Sequence, residues 1–296
     1  MPEIKTIALF GAGDMGSGVG RTLVEGGFRV ISDLSPRSAT SRANAASAGV
    51  EDAGSLKAAL ETADLALSVM PPGHAEGFAK SAAKALNGVS RKPVFGDLNA
   101  ISPATMARIA DIMSGAEVEV LDGGIIGPSP NKGCPRVYLS GQSANPIAEA
   151  LNRPDMRVIA LGPDLGQASA LKMMYAGLNK GMWAMMATMG VAADKLGLLD
   201  AFLNELQENN RSLFEPMQRW VGFLAADAHR FGPEMDEIAG TLADLKITSK
   251  FHEGARWAYD LLDETPLREE TRATADRSRS LAASLHIFRN TLDERG

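Results

Sequence analysis

Ile4-Lys5-Thr6-Ile7-Ala8-Leu9-Phe10-Gly11-Ala12-Gly13-Asp14-Met15-Gly16 decides the fold. An apolar run of strand character passes directly into G-x-G-x-x-G, and a helical pattern follows through Val24, closed by Gly26-Gly27. Gly11 permits the tight turn, Gly13 lets the backbone approach a pyrophosphate, and Gly16 lets the helix pack closely on the strand. The helix N-terminus turns its free N–H groups toward the negative charge. A second strand, Phe28–Ile31, leads to Asp33, about 20 residues beyond the loop, where a carboxylate accepts from adenosine ribose hydroxyls. A bare glycine turn would need none of this context. Gly11, Ala12, Gly13, Asp14, Met15, Gly16 and Asp33 therefore read as a dinucleotide site. Asp33 favours NAD, because a carboxylate repels a 2′-phosphate; Arg37, between Ser35 and Ser38, is the residue type that holds such a phosphate and keeps NADP open.

Outward from this stretch, strand patterns recur at Leu65–Met70, Val94–Phe95, Val118–Leu121, Val137–Leu139 and Val158–Ala160. Helical patterns lie between the early ones, at about 38–48, 54–61, 74–87 and 103–113. Strand alternating with helix predicts parallel pairing in an α/β, Rossmann-type doubly wound sheet, with ligands at the carboxyl ends of the strands. Past Gly162-Pro163 no strand pattern remains. One long helix is expected from Leu165 to about Leu196, stopped by Gly197, and further helices near 200–225, 234–246, 250–262 and 266–292, with Pro266 in the first turn of the last. The reading is a dinucleotide-binding domain over 1–163 and an all-α domain over 164–296.

Three loops follow strands at the expected ligand edge. Met70, Pro71 and Pro72 should lie along the dinucleotide near its nicotinamide end, and the neighbouring His74 reads as exposed or structural. Asn99 is a candidate contact for the nicotinamide ribose or amide, while Ser102 before Pro103 reads as a helix N-cap. Gly124, Ile125, Ile126 and Gly127 form a glycine-bearing turn whose backbone amides are expected to face a small anionic substrate.

The long helix carries Lys172. At 100° per residue, Tyr175 lies about 60° from it, and Asn179 and Trp183 within about 20°. Leu171, Met174, Leu178, Met182, Met185 and Met189 make up an apolar remainder expected to be buried. A lysine in such a helix is costly unless it faces a cavity or a partner, and partial burial moves it toward general acid/base use. Lys172 is thus the candidate acid/base, with Tyr175 and Asn179 beside it.

Bulk properties exclude other classes. The chain has 296 residues, enough for two cored domains, with net charge -6 and pI near 5.4, so no basic surface for nucleic acid is expected. Apolar runs stop short of membrane-spanning length. No secretory signal is read at the start, and Cys134 is the single cysteine, so no internal disulfide is available and a reducing cytoplasm is the expected compartment. His74, His229, His252 and His286 show no metal spacing. Glu234, Asp236 and Glu237 after Gly232-Pro233 read as favourable charge at a helix start.

These motifs resemble the β-hydroxyacid dehydrogenases, the superfamily of 6-phosphogluconate and 3-hydroxyisobutyrate dehydrogenases, over essentially the whole chain. Gly11–Gly16 looks like the family's G-x-G-x-M-G, Asp97–Pro103 like D-x-S-T-x-x-P, Asp122–Pro128 like D-A-P-V-S-G-G, and Gly166–Lys172 like its glycine-to-lysine stretch. The resemblance implies that Lys172 exchanges a proton with a substrate hydroxyl while hydride moves to or from the nicotinamide. It also implies a small, carboxylate-bearing substrate and a homodimer through interlocking helical domains, for which Trp220, Phe223 and Leu224 are a candidate stripe. The family asparagine four residues after the lysine is Ala176 here, and its substrate-binding serine is Ile126; Asn179 stands one turn further along to replace the amide. Lys172-x-x-Tyr175-Ala176, Lys180-Gly181 and His229–Ala239 look like the subgroup whose helical part is called domain of unknown function 1932. An imine or keto reductase using Tyr175, or a nucleotide sensor without chemistry, are the other readings of the same scaffold.

Overall fold

The computed structural model describes residues 3–295. They divide into two compact units, one ending at Met173 and the other beginning at Met174.

The first unit is one eight-stranded sheet: β1 Thr6–Phe10, β2 Arg29–Ser32, β3 Glu51–Asp52, β4 Leu65–Ser68, β5 Val94–Asp97, β6 Val120–Ile126, β7 Arg136–Ser140 and β8 Arg157–Gly162. Its order is β3-β2-β1-β4-β5-β6-β7-β8. Its helices are α1 Asp14–Glu25, α2 Ala39–Ser47, α3 Leu56–Thr62, α4 Ala75–Ala85, α5 Pro103–Ser114 and α6 Ala144–Leu151. Alternate residues of β1 enter two separate cores: Ile7 and Leu9 pack with Val19, Leu23 and Leu121, whereas Ala8 and Phe10 pack with Ala79, Phe95 and Met106. A strand apolar on both faces must be covered on both, which is why the sheet is doubly wound. The chain leaves β1 toward β2 on one side and returns to β4 on the other, and the crevice between them opens at the strands' carboxyl ends. Serine caps set several helix starts: Ser38, Ser55 and the expected Ser102 each accept from the backbone N–H three residues on.

Parallel pairing holds except between β6 and β7, which are antiparallel. No helix intervenes between them, so the chain simply turns back. β6 also runs to Ile126, five residues beyond the expected end at Leu121. Gly124, Ile125 and Ile126 are therefore strand rather than turn, in register with Tyr138, Val137 and Arg136. The two-residue β3 had no pattern to announce it.

A single helix, α7 Gln167–Lys195, follows β8 and spans the division between the units. Gly197, at φ +69, ends it, and the Leu198 N–H closes back on the Ala193 carbonyl. The second unit continues with α8 Leu199–Asn209, α9 Arg211–Trp220, α10 Ala225–Asp244, α11 Lys250–Glu264 and α12 Leu281–Glu294.

Two expectations fail here for physical reasons. α10 starts nine residues before 234 and carries Pro233 inside it, because burial of Phe231, Met235 and Ile238 outweighs the roughly 3 kcal/mol cost of an internal proline. Glu234, Asp236 and Glu237 are consequently not at a helix start. The last helix begins at Leu281, capped by Ser280; Pro266 opens only a short 3₁₀ turn, Pro266–Glu269. Between them Thr271 and Asp276 accept backbone N–H bonds on their side chains, and Arg279 grips Glu270 through two 2.6 Å bonds, so local side-chain bonding displaces helix. Among the described residues no helix is long and apolar enough to cross a membrane.

Candidate functional site

The glycine loop has the shape its sequence predicts. A Cβ on Gly11, which sits at φ +138, would overlap the Val69 carbonyl, and one on Gly16 would overlap the Gly11 carbonyl. Both glycines are required by packing. Gly13 differs: a Cβ there would meet nothing within 4 Å. It is the N-cap of α1 and has no side-chain cap, so the first-turn N–H groups face that open space. This is the cradle an extended pyrophosphate requires, and the residues present fit a dinucleotide. Ala12 is buried, Met15 packs on the first core, and the exposed Asp14 pairs with Lys132 at 2.8 Å.

Asp33 follows β2, and its Oδ1 accepts from the Ser35 N–H and hydroxyl. Arg37 lies in the next turn, with its Nε buried and without a partner among the described residues. Met70 packs on the second core, Pro71 and Pro72 lead into a short 3₁₀ turn, and His74 is exposed.

Asn99 is placed differently from its expected contact role. It is buried, its Nδ2 donates to Ser68 Oγ at 2.9 Å and to Asp97 Oδ2 at 2.8 Å, and its Oδ1 accepts from the Met70 N–H at 2.5 Å. Both amide hydrogens are committed inside the protein, so Asn99 shapes the Met70 loop rather than offering a donor to a ribose. Asp97 is fully buried beside it, and its carboxyl is pushed up to about 7, first by burial and further by Asp122.

The glycine segment of β6 is corrected as well. Gly124 does not present an amide in a turn; a Cβ there would lie 2.9 Å from the Ala168 carbonyl oxygen and 3.0 Å from Lys172 Cβ. Its role is to let α7 approach the strand. Ile125 and Ile126 are buried, and Gly127, at φ +121, turns the chain toward Pro135. Lys172 is half-buried, and its Nζ donates to the Ile125 carbonyl at 2.7 Å. The lysine is thus held at the carboxyl end of the sheet, within the unit that carries the glycine loop. Asp122, on the same strand, is fully buried; Ser140 Oγ, the Gly166 and Ser169 N–H groups and Ser169 Oγ all donate to it.

In the second unit Tyr175 is half-exposed, and Asn179 Nδ2 donates to the Tyr175 carbonyl at 2.9 Å. Trp183 stacks on Trp220 with centroids 6.0 Å apart. Leu224 is buried and Phe223 lies under Arg277, so the proposed stripe is mostly internal, with only Trp220 substantially exposed. Conversely, Leu171, Met174, Leu178, Met182, Met185 and Met189, expected to be buried, are exposed. Reading by residue type also missed a buried ion pair, Lys180 with Glu234, which sits against the Phe231 ring 4.5 Å away. An acid one position after an internal proline gave the only signal. Among the described residues no cluster of histidine, cysteine and carboxylates could hold a metal ion.

The fold and loop define a protein with a Rossmann-type dinucleotide-binding domain and a helical partner. Residues 6–137 match the NAD binding domain of 6-phosphogluconate dehydrogenase, and residues 193–262 match a domain of unknown function, DUF1932. The chain is thus similar to both domains, in that order along its length. An uncharacterized 28.5 kDa protein from Methanothermus fervidus is 28% identical over 174 residues, covering 58% of this chain and 65% of that protein. The match thus spans just under two thirds of that relative. A conserved hypothetical protein from Sinorhizobium meliloti 1021 has a similar structure, with TM-score 0.69 and 22% identity over 98% of this chain and 97% of that one. The 3-hydroxyisobutyrate dehydrogenase of Mycobacterium tuberculosis, solved with L-serine, gives TM-score 0.66 and 18% identity over 97% of this chain and all of that one. At these identities the two structures show a shared fold.

Proposed function

We propose that the protein is an NAD(P)-dependent oxidoreductase acting on a small β-hydroxy acid or related alcohol, with Lys172 as general acid/base. The observation that carries this reading is the lysine's placement: Nζ is fastened to the Ile125 carbonyl at the ligand edge of a sheet whose glycine loop is open for a pyrophosphate. The nicotinamide, when bound, supplies the hydride acceptor or donor. Lys172 Nζ takes up the hydroxyl proton in the oxidising direction and returns it in the reducing direction. Tyr175 and Asn179 are the groups proposed to orient the substrate. Residues 1–163 are proposed to serve the dinucleotide and 164–296 the substrate and a homodimer. NAD is the favoured cofactor, on the charge of Asp33; Arg37, in the turn that follows, keeps NADP as the competitor.

The test is a steady-state screen of small hydroxy acids with each cofactor, followed by Lys172→Ala on the best substrate. Loss of general acid/base help lowers kcat by about 10²–10⁴-fold. Full kcat in Lys172→Ala sinks the assignment. If Tyr175→Phe alone abolishes turnover, and imines or ketones are the substrates reduced, the protein is a reductase with a tyrosine donor. Tight dinucleotide binding with no turnover on any substrate would point instead to a sensor.

A further inference from the structure

Asp122 is a buried acidic side chain that the proposed chemistry leaves without a role. Its carboxylate has no exposure and takes four hydrogen bonds: 2.9 Å from Ser140 Oγ, 3.0 Å from the Gly166 N–H, 3.0 Å from the Ser169 N–H and 2.5 Å from Ser169 Oγ. Ser140 Oγ in turn accepts from the Ala168 N–H at 3.1 Å. The start of a helix leaves N–H groups without intrahelical partners and carries partial positive charge. At α7 these groups are met from inside the protein, by a carboxylate that belongs to the neighbouring strand. With every donor around it internal, Asp122 does not contact a substrate.

The same strand meets α7 at two further points. Residues 122 and 124 share a face of β6, because side chains alternate along a strand. Gly124, two residues on, leaves the room that the Ala168 carbonyl and Lys172 Cβ occupy. Ile125 supplies the carbonyl that holds Lys172 Nζ. From Asp122 to Ile125 the strand advances about 10 Å, and from Ser169 to Lys172 the helix climbs about 4.5 Å, close to one turn. Strand and helix are thus tied twice near the start of α7, first by Asp122 and then by the lysine, with a glycine between. On the other side Asp122 is in register with Asp97 of β5, whose partner Asn99 holds the Met70 N–H. Two buried carboxyl groups therefore sit side by side, one organising the loop after β4 and the other the helix of the lysine.

We propose that Asp122 is a positioning residue for Lys172, which fixes the start of α7 on β6 so that the lysine's Nζ is held at one place beside the Ile125 carbonyl. This inference rests on the reading of Lys172 as the acid/base only for its effect on turnover; the placement of the lysine is measurable without a substrate. Asp122→Asn keeps the shape but replaces an acceptor oxygen with an NH₂ group that faces the N–H groups at the start of α7.

The experiment is competitive acetylation of the intact protein with limiting acetic anhydride, read by mass spectrometry as Lys172 labelling relative to the exposed Lys195. In Asp122→Asn, Lys172 is released from Ile125 and labels severalfold faster. With a substrate in hand, kcat falls about 10²-fold, while dinucleotide Kd, set by the remote glycine loop, stays within about twofold. A residue needed only for stability would lower the melting temperature and leave the labelling ratio and kcat as they are. Where Asp122→Asn does not fold, Ser169→Ala removes one donor alone and shifts labelling in the same direction. Unchanged Lys172 labelling in the folded variant overturns the proposal, whatever Lys172→Ala does to turnover; a changed ratio sustains it even if another residue proves to be the acid/base.

Discussion

Asp97 ties stability to pH. Its carboxyl titrates at about 7 in the fold, well above the ordinary value of 3.8. The folded state therefore holds a proton that the unfolded chain has already released. That contribution is fully present below about pH 4 and is lost as pH rises through about 7, so the protein weakens across this window by at most about 1.4 kcal/mol per pH unit. Urea unfolding at pH 5, 6, 7 and 8 should show this slope, and Asp97→Asn should flatten it. An unchanged slope in the variant would assign the effect to other groups. At this scale the sequence is legible where one residue carries its own anomaly. A lysine in an apolar helix draws notice unaided. Asn99 and Gly124 do not, because their roles are set by partners far along the chain: the Met70 N–H for one, Ala168 and Lys172 for the other. Local pattern made both into ligand contacts, and only tertiary contacts show them shaping the site instead.

The loop between β1 and α1 separates packing from binding within one motif. Gly16→Ala sets a methyl against the Gly11 carbonyl and should destabilise by about 1–3 kcal/mol, the usual cost of overpacking. Gly13→Ala meets no protein atom, so its melting temperature should match that of the parent. Its methyl occupies the space left for the pyrophosphate, and dinucleotide affinity should fall by about tenfold, or about 1.4 kcal/mol. Thermal melts and NADH fluorescence titrations of the two variants decide it; full affinity in Gly13→Ala would put the pyrophosphate elsewhere. Elements were readable where local pattern and tertiary demand agree, as in β1, α1 and α7. They were misread where the two conflict. Gly124, Ile125 and Ile126 looked like a turn but pair as strand with Tyr138, Val137 and Arg136 of β7, and Pro233 looked like a helix start but is carried through by the burial of Phe231 and Met235. Glu234 was lost with it, since its importance follows from Lys180, a residue on another helix.

The whole molecule leaves one helix face unexplained by its own chain. On α7, Met174, Leu178, Met182, Met185 and Met189 recur at intervals of three and four residues, yet Leu178 is 71% exposed and Met185 56%. A stripe at this spacing is an apolar seam, and water is a poor partner for it. The flexible methionines suit a surface that must adapt to a partner helix. A second copy presents the same seam, and isologous pairing about a twofold axis lets each α7 cover the other. The homodimer proposed above is expected at this seam, rather than at Trp220, Phe223 and Leu224, whose apolar surface is largely taken up within the chain. Light scattering behind gel filtration should therefore return twice the chain mass of 31.2 kDa. Leu178→Glu, alone or with Met185→Glu, would bury a carboxylate in the seam, at a cost of several kcal/mol per ion, and should give a folded monomer with an unchanged glycine loop and undiminished NADH binding. A wild-type protein that runs as a monomer at micromolar concentration would end the dimer reading, and a double variant that stays dimeric would move the interface to another surface.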